Sequence, residues 1–93
     1  MDIPAAFTRT VVWFDLEIRK AQLEPVTDLP GFICEYMNLS DRAIVKDFLT
    51  SALATLKAPG QLEEMFRLSG ARVRFEEEEM LRMTLTEIAR RLE

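Results

Sequence analysis

The chain has 93 residues, with 12 Lys and Arg against 16 Asp and Glu, no His, one Cys and 48% hydrophobic residues. The lack of His excludes Ser-His and Cys-His nucleophile pairs and removes the commonest metal ligand, and the lone Cys34 excludes an internal disulfide and a Cys-rich zinc site. A chain of this size buries about 65% of its surface on folding, enough for one core and too little for two, so residues 1–93 are read as a single helical domain.

The net charge of −4 is spread evenly, because residues 1–46 carry seven acids and five bases and residues 47–93 carry nine and seven. Neither half advertises nucleic acid. Met1-Asp2-Ile3-Pro4 lacks the positive start of a secretory leader, and the longest uncharged stretch, Phe48 to Leu56, is nine residues. No membrane span is therefore expected, and a cytoplasmic location fits the single thiol.

In the first segment Phe7, Val11, Phe14 and Ile18 match a helical stripe, while Val12, Phe14, Leu16 and Ile18 match strict alternation. Asp2 before Pro4, the pair Ala5-Ala6 and the later Pro25 favour a helix from Pro4 to Leu23. Such a helix has a second apolar edge at Val12, Trp13, Leu16 and Leu23. Covering that edge is the argument for a homodimer.

Leu29 to Met37 predicts a short helix with Phe32, Ile33, Tyr36 and Met37 packed inward and Cys34 as a core thiol. Ser40 then opens the clearest helix, with Asp41 against the positive end of its dipole. Ile44, Val45, Phe48, Leu49, Ala52, Leu53 and Leu56 recur at helical spacing up to Pro59. A fourth helix spans Gly60 to Leu68, with Glu63 and Glu64 in its first turn, Leu62, Met65 and Phe66 on one face, and Ser69-Gly70 as the stop.

The last helix is expected from Glu76 to Arg91, on the stripe Leu81, Leu85, Ile88 and Leu92, with Glu78 and Arg82 spaced for an ion pair. Ala71 to Phe75 alternates like a strand, and Arg72 and Arg74 are unfavourable at a helix's positive end. The fold expected is all-α, a compact bundle of four to five helices. The rival is α+β, with a small antiparallel strand pair from residues 11–18 and 71–75.

Consecutive helical residues are rotated by about 100°, so Glu76, Glu77, Glu78 and Glu79 do not converge on a cation, and no metal or cofactor is expected. Thr84-Leu85-Thr86-Glu87-Ile88-Ala89-Arg90-Arg91-Leu92 resembles the first helix of the helix-turn-helix in bacterial DNA-binding regulators. The turn and base-reading helix of that motif would come next, where the sequence ends at Glu93. A basic patch for nucleic acid would use Arg72, Arg74, Arg82, Arg90 and Arg91, whereas the overall acidity disfavours it.

Met65, Met80 and Met83 with Phe66 and Phe75 read as core filling before they read as an adaptable groove. Trp13 is the leading contact residue, because tryptophan is enriched at interface hot spots. The function expected is that of a non-enzymatic, acidic, intracellular regulator or inhibitor, of the toxin-neutralising or phage-inhibitor kind. It would cover a partner protein's basic functional site through Trp13 and Glu76 to Glu79. The rivals are a dimeric DNA-binding regulator and a structural subunit of a larger assembly.

Overall fold

The apolar spacing becomes five α-helices in a computed structural model that describes residues 2–15 and 28–93. They are α1 (Ala5–Val11), α2 (Leu29–Tyr36), α3 (Arg42–Thr55), α4 (Gln61–Leu68) and α5 (Glu78–Arg91), and the described residues contain no strand. The fold is an all-α bundle.

Pro4 precedes α1 with φ −68° and ψ 148°, and the helix ends at Val11 rather than running on to Leu23. It tightens into a 3-10 turn at Val12–Phe14 and turns extended at Asp15. The β-branched pair Val11-Val12 and the bulky Trp13-Phe14 lose rotamer freedom in a regular helix, which weakens continuation. The tighter turn drives Phe14 into the core, where its ring lies 5.1 Å from Phe66 and 6.4 Å from Phe75. Because residues 11–14 are helical, they form no strand with 71–75. Leu16, Ile18 and Leu23, on which the longer helix and its second edge relied, lie outside the described residues.

Helix α2 starts with Asp28 accepting from the Gly31 amide and with Pro30 in its first turn, where a missing N–H costs nothing. Ile33, Cys34 and Met37 are buried. Phe32 is only half-buried and Tyr36 is exposed, against the inward packing expected of both. Residues 32, 33, 36 and 37 span two adjacent stripes of an eight-residue helix, and only one stripe meets the core.

Ser40 does not cap α3. A 3-10 turn at Leu39–Asp41 leads into that helix, and no side chain caps its first amides. Asp41 is buried and takes two hydrogen bonds from Arg9, Nε to Oδ2 at 3.0 Å and Nη2 to Oδ1 at 2.7 Å. This two-point pair ties α1 to the entrance of α3. Val45, Leu49 and Ala52 face inward, whereas Ile44 lies on the outer flank.

Gly60 and Gly70 bound α4 with φ of 85° and 97°, left-handed values that a side chain resists. Helix α5 begins at Glu78, two residues later than expected, and buries Leu81, Leu85, Ile88 and Leu92. It packs against α2, α3 and α4. The core is one cluster that joins this stripe to Phe7, Phe14, Ile33, Leu49 and Leu62. A radius of gyration of 12.4 Å matches the roughly 12 Å expected of a compact chain of this length.

Leu85 has no exposed surface and lies in the middle of α5, the helix on which α2, α3 and α4 pack. Leu85→Ala should cost about 3 kcal/mol in urea unfolding at neutral pH, whereas Met83→Ala on the exposed side of the same helix should change stability by less than about 0.5 kcal/mol. A loss under about 1 kcal/mol at Leu85 would contradict this placement of the core.

Candidate functional site

Three aromatic rings gather where the 3-10 turn meets α2. Trp13 lies 6.3 Å from Phe32, edge-on, and 5.1 Å from Tyr36, and the Phe32 and Tyr36 rings are 4.7 Å apart. Trp13 is half-buried in this cluster, while Tyr36 is 39% exposed and the adjoining Val12 47%. Trp13 therefore presents a shared aromatic face rather than a lone ring. The sequence reading assigned Phe32 and Tyr36 to the core and not to this face, although their four-residue spacing already places both on one side of a short helix.

The acidic run divides. Glu78 accepts hydrogen bonds from the backbone amides of Gly60 at 3.0 Å and Glu63 at 3.1 Å, which satisfies the open start of α4. Those amides hold its carboxyl below the ordinary glutamate range. The expected pairing of Glu78 with Arg82 is not made. Glu76, Glu77 and Glu79 are exposed and remain available to solvent or to a partner.

Three of the five arginines of the candidate basic patch make contacts within the fold. Arg82 donates to the carbonyls of Leu53 at 3.4 Å and Leu56 at 2.6 Å, at the end of α3. Arg90 pairs with Glu87, and Arg91 reaches both Glu87 Oε1 at 2.9 Å and Asp28 Oδ2 at 2.6 Å. The absence of a side chain at Gly31 makes room for that last contact, since a Cβ there would lie 2.8 Å from Arg91 Nη1 and collide with the Asp28 carboxylate. Arg72 and Arg74 are exposed and pair with no described side chain.

Met65 and Phe66 belong to the core, whereas Met80 and Met83 stand exposed on α5, so these residues do not line one groove. Cys34 is buried with its Sγ 3.9 Å from the Ile88 carbonyl, and burial pushes its thiol up, away from the reactive thiolate. Among the described residues no group of three or more Cys, Asp or Glu is placed to hold a metal ion, and no helix is long and apolar enough to cross a membrane. No protein-family model, curated protein or solved structure matches the chain.

The ion pairs set the response to acid. Arg90 and then Arg91 hold the Glu87 carboxyl down to about 2, Arg91 lowers Asp28, and Arg9 lowers Asp41. An unfolded Glu87 takes up its proton near 4.5 and the folded one only near 2, so across that interval the unfolded chain holds more protons and acid favours it. Stability is therefore present in full above the ordinary carboxylate range and is lost as pH falls toward about 2. Urea midpoints should be flat through the region where His would titrate, and should drop steadily below about pH 4.5, less so in Glu87→Gln. A midpoint unchanged down to about pH 3 would contradict these pairings.

Proposed function

We propose that the protein is a small binding module that regulates or inhibits another protein in the cytoplasm by covering its functional site. The observation that carries this reading is the Trp13-Phe32-Tyr36 cluster, which keeps aromatic and aliphatic surface open beside Val12. Large aromatic rings bring much contact area at little conformational cost, and they concentrate binding energy where water is excluded. Glu76, Glu77 and Glu79 supply the electrostatic half, suited to a partner with a basic surface and acting on the rate of encounter. A second copy of this chain is the competing occupant of the aromatic face.

The test uses the purified protein as bait in its own cells' lysate, followed by affinity measurement with the captured partner. Val12→Ser combined with Tyr36→Ser should weaken that complex at least about tenfold, and Gln at 76, 77 and 79 should slow association and flatten its salt dependence. Equal binding by all variants, or recovery of only the protein itself or of DNA, would overturn the proposal.

A further inference from the structure

We propose that residues Ala71 to Phe75 form a docking edge to which an extended acidic peptide of a partner protein adds as a strand. This site is separate from the aromatic face and does not depend on it.

Between Gly70 and Glu76 the chain is neither helix nor turn, and its exposure alternates: Ala71, Val73 and Phe75 are half-buried against the core, while Arg72 and Arg74 are exposed. A period of two is that of an extended chain, in which five residues span about 16 Å and the backbone N–H and C=O groups lie perpendicular to the side chains. Among the described residues none of these backbone groups makes a hydrogen bond. A row of unpaired donors and acceptors is a template for another strand.

The space beside the segment fits such an addition. A groove of about 550 Å³ runs between Ala71–Phe75 and α4, with Phe66 and Leu81 among its apolar lining and Glu63, Glu64 and Arg67 along the α4 side. This volume falls in the range of about 300–1,000 Å³ typical of ligand sites. A strand laid there would exchange main-chain hydrogen bonds with the segment, turn alternate side chains toward the apolar lining, and set the others beside Arg72 and Arg74.

Charge selects the occupant. If a second copy paired antiparallel about Val73, Arg72 would face the other copy's Arg74 and the reverse, and like charges directly opposite destabilise a strand pair. On the α4 side, Glu64 is matched by Arg67 Nη2 at 2.6 Å, which leaves Glu63 against the two unmatched arginines. The favoured strand therefore alternates apolar residues with Asp or Glu, its acids opposite Arg72 and Arg74.

The probe is a short acetylated peptide alternating Val and Glu, titrated into the full chain and followed by backbone amide NMR. Binding should shift the amides of residues 71–75, and N-methylation along the peptide's pairing edge should abolish it. A Val/Lys peptide should bind about tenfold more weakly, with the preference reversed in Arg72→Glu/Arg74→Glu. Both substituted side chains are exposed, so helical content should be unchanged; if that variant unfolds, the comparison of peptides on the unaltered protein still decides. The proposal is overturned if the N-methylated peptide binds equally well, if the shifts centre on Trp13 and Tyr36, or if nothing binds by about 1 mM. It is overturned equally if residues 71–75 pair with a second copy in the free protein.

Discussion

The structure depends on α5 being tied twice to each helix that packs on it. Leu81, Leu85, Ile88 and Leu92 give it an apolar stripe, and three charged side chains along the same helix each reach the end of a different neighbour. Glu78 meets the first amides of α4, Arg82 meets the last carbonyls of α3, and Arg91 meets Asp28 at the start of α2. A helix start is positive and a helix end negative, so Glu78 and Arg82 each carry the favourable sign. Apolar burial supplies most of the driving force but has no direction; these contacts fix where each helix sits along α5.

That double role explains which features could be read from sequence. The α5 stripe, the span of α4 to within one residue, its stop at Gly70 and the buried Cys34 follow from spacing and local backbone preference. The misreadings of polar residues have a common source, since local spacing does not register partners that are distant in sequence. Asp41 holds Arg9, thirty-two positions away, while Ser40 caps nothing. Glu78 and Arg82 stand one turn apart, yet each is drawn to a different helix end.

The first helix failed for another reason. Helix and strand periodicities both fitted its apolar residues, and the outcome turned on crowding at Val11, Val12, Trp13 and Phe14, where a tighter turn seats Phe14 inside and Trp13 against α2. Trp13 was recognisable as a surface candidate, but its partners Phe32 and Tyr36 became visible only once α2 was placed. In the candidate basic patch, too, the partners were out of view in the sequence: three of its five arginines close contacts within the fold.

Among the described residues, α2, α3 and α4 pack on α5, while the backbone of Ala71 to Phe75 makes no hydrogen bond. Native-state amide hydrogen exchange measures that contrast directly. The amides of Leu85 and Ile88 should be among the slowest in the protein, opening only with global unfolding, while those of Arg72, Val73 and Arg74 should exchange nearly as fast as in an unstructured peptide. Protection of residues 72–74 in the free protein, or rapid local exchange in the middle of α5, would contradict it.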